Sequence, residues 1–472
     1  MRSLLQIAFS IFVLSTYGQE LPCGVGDESY ESELIRQQAI AQLKSADYLP
    51  LPTLTYVALK MHVFGNSDST GYLNPIAINS ALAKLNREYR NMNLQFYFSG
   101  TSFSLYPDTY FFNGLQTDTE NENFHATYGA SNAINVYIQG TVYNNGNTVG
   151  GYSFVGPTAQ PYNRMYLRAI QVDNERTFIH EMGHYFTLRH TFNNSASTTI
   201  ANRELVTRTA EVPPRLSANC STAGDFLCDT HADPYGNGNG GNVSGNCLYT
   251  GTVTDANFDS FTPHIKNYMG YHTQCAPFSF STGQMGRIQD GYMLVDSGFG
   301  FSLNAPETVQ PAPSNVTAVI SGSVITVSWT DNSTLETGYI IENATSPTGP
   351  FVALKGVGPN ATSITTPVIS GVTQYFRVKP SNSRENYGTT LANTHFAGGM
   401  PLAITPNPVA DVLTFSLDTQ FRTVEVTNMA GQAVLRQSGV AHTLDVSALQ
   451  AGIYLIKGTT GAELYYGKFV KL

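Results

Sequence analysis

Hydrophobic and polar positions follow two different patterns along the chain. In the first part, apolar residues line one face of a strand predicted at Tyr56–Phe64, and they recur at helical spacing from Ile78 to Met92. Further strands are predicted at Leu94–Phe98, Ile134–Ile138 and Tyr166–Val172. Helix and strands alternate in this way up to about residue 190, which predicts an α/β (α+β) domain.

The second pattern begins after a proline-containing linker predicted at residues 301–314. Short strands with alternating apolar positions follow one another over residues 315–396, and Trp329 lies at the centre of one of them. Residues 400–472 are again rich in predicted strands. Closely spaced short strands are typical of β-sandwiches. We therefore expect two all-β sandwich domains after the first domain.

A long segment inside the first domain has the composition of irregular loops. Residues 193–260 are rich in Asn, Gly, Thr and Ser, and they contain Cys220, Cys228 and Cys247. Loops of this length within a domain are usually functional or cross-linked. We expect the first domain to span residues 52–300 and to include this segment.

The N-terminal residues have the pattern of a targeting signal. Residues 1–18 combine a positive start, an apolar stretch from Leu4 to Leu14 and small residues near their end, which predicts a secretory signal peptide. The alternative is that these residues form a buried first helix of the folded protein. Residues 19–51 are polar, with a helical pattern at Leu34–Leu43, and are expected to be a pro-segment. No second apolar stretch is long enough to cross a membrane, so no transmembrane anchor is expected.

Composition and charge narrow the class of protein. The chain of 472 residues is too long for one hydrophobic core, and its 42% apolar and 11% aromatic residues exclude general disorder. Charged residues make up only 12%, and the net charge is −9 without any basic run. Because nucleic-acid binding depends on clustered Lys and Arg, a nucleic-acid partner is not expected.

One short segment carries the clearest chemistry. His180 and His184 are four residues apart, so on a helix they share one face and can bind one Zn²⁺. Glu181 follows the first histidine and can act as the general base for a zinc-bound water. His190 provides a third nitrogen, which leaves a fourth coordination position for that water. The segment therefore predicts hydrolytic zinc chemistry.

These residues resemble the long HExxHxxGxxH motif of the metzincins, which is followed by a Met-turn. Three further stretches resemble the pappalysin/cytophagalysin family within the metzincins: Asn267–Tyr271 followed by Cys275, Ser281–Gln284, and the GDxxxDT-like Gly224–Thr230. The likeness covers most of residues 52–300 and implies a metzincin-like catalytic domain, hence a zinc endopeptidase.

The resemblance implies further site residues. Met269 would be the Met-turn residue beneath the zinc, and Tyr271 would donate a hydrogen bond to the developing oxyanion. The family often binds calcium near its GDxxxDT segment, which implies Asp225, Asp229 and Thr230 as oxygen ligands. A solvated acidic loop is the alternative to a calcium site.

Five cysteines indicate two disulfides and one remaining thiol, and four cysteines allow three pairings. The closed loops have similar lengths, so loop entropy does not choose between the pairings. The family resemblance implies Cys220–Cys247 and Cys228–Cys275.

The remaining thiol, Cys23, lies in the predicted pro-segment. Its surroundings resemble the cysteine switch of metzincin pro-segments, in which a thiolate fills the zinc's open position until the segment is cut. A free thiol or a lipidation site are the alternatives, and Pro22 directly before the cysteine argues against lipidation.

The sequence departs from the family at two places. Thr187 stands where the motif has glycine, and a β-branched residue disfavours the positive φ that turns the third histidine back towards the metal. The segment after Tyr271, residues 272–274, is neutral, whereas relatives that cleave beside arginine have acidic residues there. Arginine specificity is therefore not expected.

The C-terminal domains have resemblances of their own. Residues 315–396 resemble a fibronectin type III module, with Trp329 at a strand centre and Tyr375 opening a later strand. Residues 400–472 resemble the type IX secretion sorting domain through Ile404–Pro408, Val424–Gly431 and Gly452–Leu455. That likeness implies export by the type IX machinery, and a generic carbohydrate-binding sandwich is the alternative.

The leading hypothesis is a secreted zinc endopeptidase made as a latent precursor, extracellular or on the cell surface. Its expected cofactors are Zn²⁺ and Ca²⁺, and its expected partners are protein or peptide substrates and the secretion machinery; we expect a monomer. The competing hypothesis is an adhesin whose first domain is a degenerate scaffold. A serine esterase is disfavoured, since no G-x-S-x-G elbow is present.

Overall fold

The computed structural model describes residues 23–25, 30–45, 51, 53–272, 275–308, 310–369, 372–388, 391–394, 399–415, 420–428, 432–440, 442–460 and 464–472. The predicted signal peptide, residues 1–18, lies outside these ranges, as do parts of the predicted pro-segment. None of the helices in the described part of the chain is long and apolar enough to span a membrane.

A six-stranded sheet forms the centre of the first domain. Its strands are β1 (Thr55–Gly65), β2 (Leu94–Phe98), β3 (Ser104–Pro107), β4 (Ile134–Gln139), β7 (Gly151–Ser153) and β8 (Arg164–Arg168), and a separate hairpin consists of β5 (Val142–Asn144) and β6 (Asn147–Val149). The order is β2-β1-β4-β8-β7, with β3 also paired to β1. All pairs in the sheet are parallel except β7 with β8, so β7 is an antiparallel edge strand.

Six α-helices accompany this sheet within the described residues: α1 (Tyr30–Ser45), α2 (Pro75–Tyr89), α3 (Thr109–Phe112), α4 (Asp118–Tyr128), α5 (Thr177–Tyr185) and α6 (Thr282–Met293). Helix α2 begins at Pro75, with the Asn74 side chain accepting a hydrogen bond from the Ile76 amide. Its apolar face is buried in the main core, which also includes the apolar side chains of α5. Every residue of α5 is buried. The strand predicted to end at Val172 ends at Arg168, because the chain then turns into a 3₁₀ helix at Ala169–Gln171.

Two pairs of sheets follow the first domain. The first pair consists of β9 (Ser314–Ser321), β10 (Val324–Thr330), β11 (Tyr339–Ala344), β12 (Val352–Val357), β13 (Ser363–Pro367), β14 (Thr373–Pro380) and β15 (Leu391–Thr394), in the orders β13-β10-β9 and β12-β11-β14-β15. Trp329 lies in the core between these sheets.

The second pair has its own hydrophobic core. It consists of β16 (Gly399–Pro401), β17 (Ile404–Thr405), β18 (Val412–Phe415), β19 (Phe421–Asn428), β20 (Ala433–Val440), β21 (Thr443–Asp445), β22 (Gly452–Thr459) and β23 (Leu464–Lys471). The orders are β16-β23-β22-β19-β20 and β17-β18-β21. Both C-terminal units are therefore all-β.

The segment predicted as a linker is packed against the first domain. The Ala58 amide donates to the Leu303 carbonyl at 2.9 Å, and the Ala305 amide donates to the Asn132 carbonyl at 3.0 Å. Leu303 is fully buried in the main core. The segment that follows the first domain is therefore hydrogen-bonded to strand β1 of its sheet.

The first sandwich shares part of the core of the first domain. Ile340 and Ala353 belong to the main core cluster. On α2, the Asn79 side-chain amide donates to the Thr337 carbonyl at 2.8 Å. A Cβ added at Gly356 would overlap the backbone oxygen of Asn79, so this glycine permits the sandwich to approach the helix closely.

This approach gives a stability prediction. We expect Gly356→Ala to lower the free energy of unfolding by about 1–3 kcal/mol, because the new methyl group forces the sandwich away from α2. Thermal or denaturant unfolding measures the change. The control is Gly245→Ala, where an added Cβ has no atom within 4 Å. Equal stability of the two variants would contradict the close packing of the sandwich on α2.

Candidate metal centre

Helix α5 carries two of the predicted ligands. The Asn174 side-chain oxygen accepts hydrogen bonds from the amides of Arg176 and Thr177, at 2.9 and 2.6 Å, where the chain enters the helix. One helical turn separates His180 from His184, and their Nε2 atoms lie 3.1 Å apart. Both imidazoles are buried.

Backbone carbonyls orient these two imidazoles. His180 Nδ1 lies 2.6 Å from the Tyr268 carbonyl oxygen, and His184 Nδ1 lies 2.8 Å from that of Leu188. Because a carbonyl can only accept, each Nδ1 must carry the proton and each Nε2 presents a lone pair to the centre. Burial, together with the neighbouring histidines and Arg176, holds the pKa of His180 well below its ordinary value. The imidazole is therefore neutral, as a metal ligand must be.

A tight turn after α5 brings back the third histidine. The Thr187 amide donates to the His184 carbonyl and the Leu188 amide to that of Gly183, each at 2.9 Å. His190 Nε2 then lies 3.1 Å from that of His184 and 3.3 Å from that of His180. Tetrahedral zinc with Zn–N bonds of about 2.0–2.1 Å separates its nitrogen ligands by about 3.3 Å. The three imidazoles therefore fit this ion.

Thr187 adopts the positive φ that the motif's glycine would provide, at 73°. Such a conformation costs on the order of 1–3 kcal/mol for a residue other than glycine. Gly156 and Gly291 leave space for the Thr187 side chain. A Cβ added at Gly156 would lie 2.8 Å from Thr187 Cγ2, and a Cβ added at Gly291 would lie 2.9 Å from Thr187 Oγ1. The turn therefore forms although the backbone of Thr187 is strained.

Cys23 lies against the same centre. Its sulfur and a nitrogen from each of His180, His184 and His190 lie within 4.8 Å of one another. The Gly24 amide donates to the Gly151 carbonyl at 2.8 Å, so this part of the N-terminal segment is held at the edge strand β7. Burial, and then the charge of Glu181, raise the pKa of the Cys23 thiol well above its ordinary value.

Glu181 is the acidic group of the centre. It is fully buried, and Cys23 Sγ lies 3.4 Å from its Oε2. Its Oε1 has no hydrogen-bond partner within the described part of the chain. Burial raises the pKa of Glu181 to about 8, although the Cys23 hydrogen bond and the charge of Arg176 act in the opposite direction.

The predicted Met-turn lies beneath α5. Met269 is fully buried, and its Sδ would be 2.8 Å from a Cβ added at Gly183. Asn267 accepts a hydrogen bond from the Met269 amide at 2.8 Å and donates to Gln284 Oε1 at 2.8 Å. Gln284 in turn completes the capping box of α6. This contact joins the Asn267–Tyr271 and Ser281–Gln284 stretches in space.

Tyr271 lies beside the three imidazoles. Its hydroxyl donates to the Cys23 carbonyl at 2.8 Å, and its ring centroid is 4.8 Å from that of His190. Arg176, which sequence analysis missed, donates to the Gly270 carbonyl and lies 5.7 Å from the Tyr271 ring centroid. A single arginine before the histidine motif has no recognisable pattern, so only its position next to Tyr271 identifies it.

The predicted calcium ligands do not form one cluster of oxygens. Asp225 Oδ1 accepts a hydrogen bond from Thr230 Oγ1 at 2.8 Å, whereas Asp229 Oδ2 accepts from the Gly283 amide at 2.6 Å. A buried carboxylate missed by the sequence, Glu204, lies near Asp225, and burial raises its pKa well above the ordinary value, as does the charge of Asp225. The calcium site stays a prediction.

The predicted disulfide pairing is wrong. The structure pairs Cys220 with Cys228 and Cys247 with Cys275, instead of Cys220–Cys247 and Cys228–Cys275. The chain folds back within residues 219–226, where turn hydrogen bonds bring the Cα atoms of Cys220 and Cys228 to 5.0 Å. Because Cys220 and Cys228 pair within this local turn, Cys247 pairs with Cys275, and the Cα atoms of these two residues lie 5.5 Å apart. Cys23 belongs to neither disulfide, as the cysteine count predicts.

Two family models match parts of the chain. Residues 76–191 match the M12B reprolysin-like metallopeptidases, a range that ends just after His190. Residues 403–472 match the secretion system C-terminal sorting domain. No curated protein matches the chain. A metallopeptidase domain is therefore followed by β-sheet domains, the last of which indicates secretion or a surface location.

Solved structures of fibronectin type III proteins are also similar to the chain. The central fibronectin-III array of RIM-binding protein has 13% identity and a TM-score of 0.19. The match covers 35% of this chain and 65% of the RIM-binding protein array, which is less than two thirds of its length. An Fn3-like protein from Clostridium thermocellum has 17% identity and a TM-score of 0.17, covering 19% and 95%. A two-domain segment of chicken tenascin has 11% identity and a TM-score of 0.16, covering 34% and 97%.

The disulfide arrangement gives a direct prediction. Peptide mapping without reduction should recover one peptide that links Cys220 to Cys228 and another that links Cys247 to Cys275, because the Cα atoms of these pairs lie 5.0 and 5.5 Å apart, within the range of a disulfide. Alkylation before digestion should label Cys23 alone. A fragment that joins Cys220 to Cys247 would refute the pairing.

Proposed function

We propose that this chain, which its reprolysin-like match makes a metalloendopeptidase, is a secreted zinc enzyme made as a latent precursor. The observation that carries the proposal is the convergence of three imidazole nitrogens beside a buried carboxylate. The stretches Asn267–Tyr271 and Gly224–Thr230 support the finer assignment to the pappalysin/cytophagalysin type. The sorting domain supports export by the type IX machinery after an N-terminal signal peptide.

The donor set fits zinc rather than a hard cation. His180, His184 and His190 offer neutral nitrogens at separations close to those of tetrahedral coordination. Zinc bound there would act as a Lewis acid that polarises the scissile carbonyl and lowers the pKa of water. Calcium, if bound, would belong to the separate carboxylates Asp225 and Asp229 or to Glu204, since it prefers oxygen ligands.

Glu181 is proposed to move the proton. Its carboxylate lies within the centre, so it can take a proton from the attacking water and pass it to the leaving amine. Tyr271 is proposed to donate to the oxygen of the reacting carbonyl. In the precursor its hydroxyl already donates to a peptide carbonyl, that of Cys23, which supports this role.

The edge strand β7 is the proposed binding surface for substrate. An extended peptide can add to a free strand edge through backbone hydrogen bonds. The N-terminal segment uses this edge in the precursor, where Cys23 forms a β-bridge with Gly151 and the Gly24 amide donates to the Gly151 carbonyl. A substrate backbone would take the same place once the segment has left.

The proposal is tested by replacing the base. We expect Glu181→Ala to retain zinc and to lose peptide hydrolysis by about 10²–10⁴-fold, because the water then has no positioned base. Metal analysis and cleavage of casein, with and without a chelator, measure the two properties. The control is Glu175→Ala, an exposed residue of the same type six positions earlier. Unchanged hydrolysis in the Glu181 variant would refute the mechanism, and a zinc-loaded, processed protein that cleaves nothing would favour the adhesin.

Latency is tested at Cys23. We expect the Cys23→Ala precursor to be active before processing, because a thiolate held in place by its own chain excludes water from the fourth position. Mercurials that bind the thiol should activate the parent precursor in the same way. Val25→Ala, which keeps the thiol, should stay latent. A Cys23→Ala precursor as inactive as the parent would mean that the segment blocks the centre without its sulfur.

A further inference from the structure

A buried carboxylate on α1 faces two arginines of the first domain. Glu33 has a relative exposure of 0%, and its Oε1 lies 2.6 Å from Arg287 Nη1. Its Oε2 lies 3.5 Å from Arg189 Nε, and Gln37 donates to Oε1 at 3.1 Å. Both carboxylate oxygens of Glu33 are therefore in contact with a cation.

The two arginines come from distant parts of the chain. Arg287 lies on α6, whereas Arg189 directly precedes His190. Both are buried, and the guanidinium of Arg189 lies 5.1 Å from the Phe226 ring centroid. A charge in such surroundings is very unfavourable without its counterion. The site is therefore suited to a carboxylate and to little else.

The rest of α1 is attached mainly by two polar contacts: Arg36 Nη2 donates to the Val155 carbonyl at 3.0 Å, and Lys44 Nζ lies 2.8 Å from Asp290 Oδ1. Among its described side chains only Glu33 and Ile40 are buried, and Ile40 belongs to none of the hydrophobic clusters found in the described residues. Leu34 and Ile35 are 39% and 63% exposed. Since α1 buries so little apolar surface, the hydrophobic effect contributes little to holding it.

We propose that Arg189 and Arg287 form a carboxylate-binding site, separate from the metal centre, that recognises Glu33 of the N-terminal segment. This proposal rests on the proposed function, in which residues 19–51 are a removable pro-segment. The segment then has two anchors ten residues apart, the thiol of Cys23 at the metal centre and the carboxylate of Glu33 at the arginines. Each anchor raises the effective concentration of the other.

The two anchors also define which cleavage releases the segment. A cut between residues 25 and 30 separates Cys23 from Glu33, and each piece then loses the contribution of the other's anchor. Because linked attachments lose their mutual advantage when the connection is cut, one such cleavage activates the precursor. A cut after residue 45 leaves both anchors on one peptide and releases it more slowly.

The test uses the full chain and reads the docking of α1 directly. Hydrogen exchange of the amides of residues 30–45 is compared in the parent, Glu33→Gln and Glu31→Gln. The last is the matched control, since Glu31 lies on the same helix and is exposed. We expect Glu33→Gln to accelerate exchange of α1 on the order of 100-fold or more, because it leaves two buried cations without this counterion, and Glu31→Gln to leave it unchanged. Arg287→Gln should reproduce the effect from the other side.

Two further outcomes separate this proposal from the proposed function. Faster exchange of α1 without any gain in precursor activity would sustain the carboxylate site and contradict its part in latency. Parental exchange in both Glu33→Gln and Arg287→Gln would overturn the site itself. If Glu33→Gln fails to fold, Glu33→Asp keeps the charge but shortens its reach, and it should give an intermediate acceleration; parental exchange in that variant would also overturn the site.

Discussion

The structure of the first domain depends on one constraint: three neutral imidazoles must direct their Nε2 lone pairs at a single buried point. Backbone carbonyls of Tyr268 and Leu188 meet this constraint for the first two by accepting the protons of Nδ1. The turn at Thr187 meets it for His190, at the cost of a strained positive φ. Each of these partners lies outside α5, so the helix alone does not make the site.

The surrounding elements hold this arrangement in layers. Met269 packs beneath α5 at Gly183, and α6 holds the neighbouring Asn267 through Gln284. On the other side, the Tyr89 hydroxyl at the end of α2 donates to the Ile179 carbonyl of α5 at 3.1 Å. Helix α2 is in turn covered by the first sandwich at Asn79. The first sandwich is thus connected to the metal centre through two helices, α2 and α5.

The N-terminal segment occupies the same centre from outside. Cys23 reaches the imidazoles, its carbonyl accepts from Tyr271, and Gly24 pairs with the edge strand β7. The segment therefore contacts the same groups that we propose for a peptide substrate. Its helix α1 is attached at a different place, by charge, where Glu33 meets two arginines.

The sequence by itself predicted the elements and the ligands whose pattern is local. The strand at Thr55–Gly65, the helix at Pro75–Tyr89 and the shared helical face of His180 and His184 follow from periodicity, because neighbours along the chain determine them. Cys23 was singled out as the thiol left over after two disulfides.

Only the tertiary structure decided the contacts between distant residues. The pairing of Cys247 with Cys275, the clamp of Arg176 on Gly270 and the ion pair of Glu33 with Arg287 join residues 28 or more positions apart in sequence. The spacing of apolar residues along the sequence does not predict such contacts, because they depend on where turns place the backbone in space. Thr187 is a second example of a feature that the sequence does not predict. A β-branched residue disfavours a positive φ, yet the space beside two glycines and the surrounding packing impose that conformation.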